Sequence, residues 1–187
     1  NDEALLIAMA GSMGAAITRH QTENQLRARD RLLRGVALAT HELLTAPSFD
    51  AAIRRALETL GQAADVERAY LFENFVDPRL GDHRLRARFV WEKRPSAPPP
   101  DLSALDNLSY DVLFPRWYEI LSSGQPISGR MLDFFQAPAA DRVAPLRSIL
   151  LVPVMSEGTF WGIVGLDDNN LTRAWVSGDE SILNAVA

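Results

Sequence analysis

Three observations in the 187-residue sequence predict an α+β fold of helices and antiparallel strand pairs. Apolar residues recur with a helical period over 2–46 and again over 49–62. The period shortens to two over 66–75, 85–93 and 148–168, the mark of strands. Turn formers separate these runs. A hydrophobic content of 47% against 23% charged residues gives the chain enough apolar material for a packed core.

The elements follow in order. Residues 2–46 read as one long helix, or two nearly continuous ones. Leu5, Leu6, Met9, Met13, Ala16 and Ile17 form its first apolar stripe. The polar stretch TRHQTENQ (18–25) interrupts that stripe without breaking the helix. Leu26 and Leu33 then stand one heptad apart, followed by Val36, Ala37 and Leu44. Gly11, Gly14 and Gly35 each weaken helix propensity by about 1 kcal/mol. The polar middle cannot bury a full face, so this part is expected to project from the domain. Pro47 ends the helix, and Ser48 caps the next, whose Phe49, Ile53, Ala56, Leu57 and Leu60 share one face.

VERAYLFENF (66–75) alternates through Val66, Tyr70 and Phe72. LRARFVWEK (85–93) places Leu85, Ala87, Phe89 and Trp91 on one side and Arg86, Arg88 and Glu92 on the other. The turn-rich DPRLGDH joins them, so the two read as an antiparallel pair. RPSAPPPDLS (94–103) is irregular, and FPRWYEILSSG (114–124) reads as a short helix stopped at Gly124. A short edge strand is expected around Ile127. SILLVPVMSEGTFWGIVGLDD (148–168) reads as a hairpin turning at Glu157–Gly158. Ser177 and Glu180 have capping-box spacing and open a last helix.

Charge and composition exclude several function classes. With 19 basic and 24 acidic residues the net charge is −5, which argues against nucleic acid as a partner. The basic bunch RARDRLLR (27–34) reads as a solvated helix face. No apolar run has the length of a membrane span and no signal peptide is visible, so the reading is a cytoplasmic chain without a membrane partner. The absence of cysteine removes disulfides, thiolate nucleophiles and thioether-linked cofactors. Residues 179–187 (DESILNAVA) align with 2–10 (DEALLIAMA). The alignment divides the chain into a linker or signalling helix at 1–32, read as the last helix of a preceding copy, and a domain at 33–187 whose final helix is truncated.

The motifs RAYLFEN (68–74), RSILLVPV (147–154), FWGIVGLDD (160–168) and RAWVSGDESIL (173–183), with this order of elements, resemble the GAF domains of bacterial sensor histidine kinases and cyclic-di-GMP signalling proteins. The resemblance covers about residues 33–187. It implies a central, mostly antiparallel PAS-like sheet of five or six strands, with strand order 2-1-5-4-3 and the terminal helices packed on one face. It places the small-molecule pocket on the opposite face. It also implies a regulatory rather than an enzymatic domain, covalently linked to sensor and output domains, the parent being a histidine kinase or a diguanylate cyclase.

Family chemistries can be tested on the residues. No cysteine is present to attach a bilin or to reduce a sulfoxide. The cyclic-nucleotide signature of the phosphodiesterase type is not found. His20 and His41 lie on the first helix and His83 in a turn, which argues against haem and against a metal site, so no cofactor is expected. Asp167-Asp168-Asn169-Asn170 reads as the polar end of a strand rather than a cation site. ATHELLTAPS (39–48) looks like a kinase phosphoacceptor box, but Leu44 replaces its usual Arg and Ala46 intervenes before Pro47. No ATP-binding domain follows, so His41 reads as a surface histidine.

The expected ligand site is aromatic: Phe72, Phe89, Trp91, Tyr110, Trp117, Phe134, Leu150 and Trp161, with Tyr70 and Phe135 as further candidates and Ser148 and Arg147 as polar groups. The ligand is an unknown small molecule, and alternation alone leaves open which sheet face holds it. Leu26 and Leu33 are expected to pair with a second copy in a parallel homodimer through the N-terminal helices. A ligand-free dimerisation spacer is the alternative reading.

Overall fold

The computed structural model describes residues 2–94, 106–113, 116–130, 133–134, 148–169, 173, 175 and 177–184. The expected Arg147, Phe135 and most of 94–103 lie outside these, as do residues 114–115 of the expected short helix. Helix α1 (Asp2–Thr45) is continuous and leads through Pro47 into α2 (Phe49–Ala64). Ser48 caps α2 by accepting a hydrogen bond from the Ala51 amide. Asp65 closes it in the left-handed region, its N–H donating to the Gln62 and Gly61 carbonyls. Strands β1 (Arg68–Val76) and β2 (His83–Glu92) follow. Two elements were not foreseen: β3 (Leu108–Ser109) and the one-turn α3 (Tyr110–Leu113). After them come α4 (Trp117–Ser122), β4 (Ile127–Gly129), β5 (Ser148–Ser156), β6 (Thr159–Asp168) and α5 (Ser177–Asn184).

The six strands form one antiparallel sheet in the order β3-β2-β1-β6-β5-β4. Setting aside two-residue β3, this is the expected 2-1-5-4-3. The β5–β6 hairpin turns at Glu157 (φ 51°) and Gly158 (φ 77°), two successive positive φ values that fit a tight primed turn.

The sheet separates two cores. On the helix side, Leu32 and Ala39 of α1, Ala56, Leu57 and Leu60 of α2 and Ile182 and Leu183 of α5 pack on Ala69, Leu71, Leu150, Val152 and Leu166. Gly35 lets α1 approach α2, since a Cβ there would lie 2.2 Å from that of Ala63. On the distal side, Phe72, Leu85, Ala87, Ile149, Leu151 and Ile163 pack with Tyr110, Trp117 and Leu121 of α3 and α4.

One expectation about faces is corrected. Leu85, Ala87, Phe89 and Trp91 do not share a side. Leu71 pairs with Phe89 but Phe72 pairs with Ala87, so Arg88 is an extra residue in a β-bulge. Below the bulge, Leu85 and Ala87 face the distal core; above it, Phe89 and Trp91 face the helices. Arg88 reaches back from the bulge to Glu73 at 3.3 Å. A second shift, between Val154 and Met155, leaves Trp161 extra on β6 and lets it turn to the helix side while Phe160 stays distal. Val66 precedes β1 and belongs to the helix-side core rather than sharing a face with Tyr70 and Phe72.

The first helix changes character along its length. Leu32, Gly35 and Ala39 are buried, whereas residues 9–31 are exposed apart from half-buried Glu23. Leu26 is 62% exposed and Leu33 48%.

Candidate functional site

The ligand-binding residues expected from sequence divide between the two faces. Phe72, Tyr110, Trp117 and Phe134 come together on the distal side. Phe89, Trp91, Leu150 and Trp161 lie on the helix side. Trp91 packs against Gly61 of α2, where a Cβ would fall 2.2 Å from its ring. Ser148 pairs across β5–β6 with Asp168 on the helix side, and its hydroxyl donates to the Arg173 carbonyl at 3.1 Å.

The distal group is a set of rings in mutual contact. Trp117 meets Phe134 edge-on at 5.5 Å, Tyr70 meets Phe72 at 5.2 Å, and Tyr110 meets Tyr118 at 5.3 Å. His83 stacks on Tyr118 at 3.8 Å. Tyr110 is fully buried, and its hydroxyl donates to Asn74 Oδ1 at 2.6 Å. Asn74 Nδ2 donates to the Phe160 carbonyl at 3.0 Å, so the buried Tyr110 hydroxyl and the Asn74 amide are paired. Burial raises the Tyr110 phenol well above its ordinary pKa, holding it as a donor.

At the far end of this face lies a pair that periodicity did not reveal. Arg68 on β1 and Asp167 on β6 are register partners, and Arg68 Nε donates to both carboxylate oxygens, at 3.0 and 3.1 Å. The Asp167 side chain is 2% exposed and that of Arg68 30%. Burial raises Asp167 to about 6, against the pull of Arg68. Tyr70 stands one pleat along on the same face, its ring lying over Gly165, where any Cβ would collide with it at 2.0 Å. Burial raises the Tyr70 phenol too, so it is protonated at neutral pH.

Asp168, next along the strand, points to the other face, because successive strand residues alternate. It pairs with Arg173 at 3.1 Å. Arg173 also donates to the Ala64 carbonyl at 2.6 Å and the Asp65 carbonyl at 3.2 Å, fastening the end of α2 to the sheet. Its guanidinium sits 4.2 Å from the Trp175 ring centre. Asp167 and Asp168 end β6, as expected of a strand's polar end, and in addition they hold two arginines, one on each face. The sequence signal was available in the two adjacent aspartates closing an apolar strand, but each partner arginine can be assigned only once the fold is known.

Two hollows open on the helix side. One, of about 440 Å³, is apolar and lies between the end of α1, α2, the β5–β6 hairpin and α5, with Phe49, Met155 and Trp161 in its wall. The other, of about 460 Å³, lies where α1 passes the end of α2, and its wall holds Arg29, Arg31, Arg173, Asp65 and Asp179. Among the described residues no group of three His, Asp or Glu side chains is placed to hold a metal ion. No helix among them is long and apolar enough to cross a membrane. His41 is exposed on α1, its carbonyl accepting from Thr45.

Comparison with known proteins agrees with this architecture. A family model, described as the GAF domain, matches residues 48–187. The methanogenesis regulatory histidine kinase FilI of Methanothrix harundinacea is 36% identical over 168 residues, covering 87% of this chain. The chain spans only 18% of that kinase. Among solved structures, a GAF domain from a phosphoenolpyruvate-protein phosphotransferase of Coxiella burnetii superposes with a TM-score of 0.56 at 14% identity, covering 84% of this chain and 89% of that one. Free methionine-R-sulfoxide reductase from Neisseria meningitidis, solved with its substrate, gives 0.57 at 13% identity, covering 81% and 80%. A far-red absorbing protein with bound biliverdin gives 0.64 at 10%, covering 81% and 92%. At these identities the structures share the fold alone.

Proposed function

The chain belongs to the GAF domain family, and from that premise we propose that it is a sensor module of a larger signalling protein. It takes a small ligand on the distal face and passes the bound state along α1 to a covalently linked output domain. The observation that carries this reading is the split of Asp167 and Asp168. A ligand that moves Arg68 moves Asp167. The next residue, Asp168, holds Arg173, which grips the end of α2. Helix α1 packs along α2 through Gly35 and Ala63, so a shift of α2 is delivered to the rod. The domain performs no chemistry itself, and it binds its ligand reversibly, since it lacks a cysteine to attach one. The likeness to a regulatory histidine kinase favours a two-component output over a diguanylate cyclase. A parallel homodimer through Leu26 and Leu33 completes the arrangement.

One observation favours the spacer reading: the distal rings already fill contacts with one another. Native mass spectrometry of the protein purified from its source separates the two. A retained small molecule on a dimer supports the sensor. A dimer that carries no added mass, and whose mass does not change on incubation with a metabolite extract, supports the spacer.

A further inference from the structure

We infer that the distal site receives a small monocarboxylate, with Arg68 and Tyr70 as the groups that hold its oxygens. This rests on the sensor reading above and names its ligand class. Arg68 spends only its Nε on Asp167. The N–H bonds of its two terminal nitrogens meet no acceptor among the described residues. The Tyr70 hydroxyl, protonated and on the same face, has no hydrogen-bond partner there either. Arg68 is 30% exposed, so water meets these donors in the free protein and a ligand that brings acceptors can replace it. Asp167 engages the guanidinium through Nε and leaves its two terminal nitrogens, a planar pair of donors whose geometry matches a carboxylate.

The neighbouring charges set the ligand's charge. Asp167 offsets much of Arg68. Glu92 is the register partner of Arg68 on β2 and adds a negative charge to the same end of the sheet. Asp168 faces the other side and is paired with Arg173. Against the two carboxylates Asp167 and Glu92 a phosphate dianion meets about twice the repulsion that a monocarboxylate does, so the smaller charge is the one Arg68 can hold. The adjoining rings, Tyr70 and Phe72, supply an apolar wall for the rest of the molecule.

Saturation-transfer NMR on the whole chain tests this with matched pairs: propionate against propionamide, benzoate against benzamide and phenylacetate against phenylacetamide, with inorganic phosphate as competitor. At least one carboxylate should bind ten-fold or more tightly than its amide, and phosphate should not displace it. Arg68→Lys keeps a cation for Asp167 but loses the fork, and should weaken that carboxylate ten-fold or more. Tyr70→Phe should weaken it several-fold and, as a single-oxygen change, tests the site even if Arg68→Lys does not fold. Amides binding as well as carboxylates would overturn the ligand class and leave the sensor reading standing. Equal competition by phosphate, or undiminished binding in folded Arg68→Lys or in Tyr70→Phe, would overturn it also. Binding of neither carboxylate nor amide would overturn the ligand class, and the sensor reading would then stand or fall on the native mass spectrum alone.

Discussion

The two faces of the sheet are built from different mixtures of side chains. The helix side is mostly aliphatic and close-packed, with Gly35 and Gly61 removing side chains where two elements would otherwise collide. The distal side is richer in rings and threaded with hydrogen bonds, from Tyr110 through Asn74 to the Phe160 carbonyl. Aliphatic packing fixes the position of helices by shape alone. Rings with polar tips give walls and orienting groups together, as a site for a small molecule requires. On the proposed reading one face anchors the rod and the other receives the ligand, with the aspartate pair bridging them.

The largest effect expected from breaking the comparison is on the helix side. Leu150→Ala removes a fully buried side chain beneath α1, α2 and α5 and should cost about 2–5 kcal/mol in denaturant unfolding. Leu151→Ala, one residue on and facing the distal core, should cost a similar amount. The difference should appear in hydrogen exchange. Leu150→Ala should loosen amides of α1 near Leu32 and Ala39, whereas Leu151→Ala should leave them protected. Equal loosening by both would mean that the faces are not mechanically distinct.

How much of this was legible in the sequence depended on whether a residue's role is local. Ser48 before Phe49 and Glu157–Gly158 between two strands announce a cap and a turn, because their physics lies within a few residues. The bulge at Arg88 was hidden. Leu85, Ala87, Phe89 and Trp91 alternate without a break, and because the sheet is buried on both sides an apolar residue fits either face. The same ambiguity mixed helix-side Leu150 and Trp161 with distal Phe72 and Trp117. Arg68 and Asp167 were beyond reach for another reason: they are 99 positions apart, and only the strand order brings them together.

Asp167→Asn sharpens the comparison through pH. The folded Asp167 has a pKa of about 6, above the 3.8 of an ordinary aspartate. Between these values the folded state binds the proton more tightly than the unfolded chain. Its contribution is therefore greatest below about pH 4 and is lost as pH rises through 6. Wild type should lose stability relative to Asp167→Asn across that window, by up to about 3 kcal/mol, because each pKa unit corresponds to about 1.4 kcal/mol. Parallel stability curves for the two proteins from pH 4 to 7 would show that Arg68 holds the carboxylate charged throughout.

A smaller effect is expected where α1 crosses α2. Gly35→Val places new carbon against Ala63, already 2.2 Å from a simple Cβ, and should cost about 1–3 kcal/mol. Ala63→Gly should restore part of it. Absence of rescue in the double variant would show that the loss comes from elsewhere than this contact.

The smallest effect on the domain itself belongs to the exposed half of α1. Leu26 and Leu33 are 62% and 48% exposed and touch neither core, so Leu26→Glu with Leu33→Glu should leave domain stability within about 0.5 kcal/mol. Their apolar area is nevertheless available to a second helix. Burying two leucines per chain is worth a few kcal/mol at about 25 cal/mol per Å², before the cost of association. Glu23 and Asp30 stand among Arg27, Arg29 and Arg34 for cross-pairs, though Arg19–Glu23 and Arg34–Asp30 are already bonded within one helix, at 3.1 and 2.8 Å. A partner must compete with those pairs, and exposed ion pairs contribute little. The leucines therefore have to carry the contact, and the expected dimer is weak and concentration-dependent. Sedimentation over a concentration series should show a monomer–dimer equilibrium that the double glutamate variant abolishes while its melting curve is unchanged. A wild-type chain that stays monomeric at high concentration, or a dimer indifferent to the glutamates, would remove this seam from the signalling path.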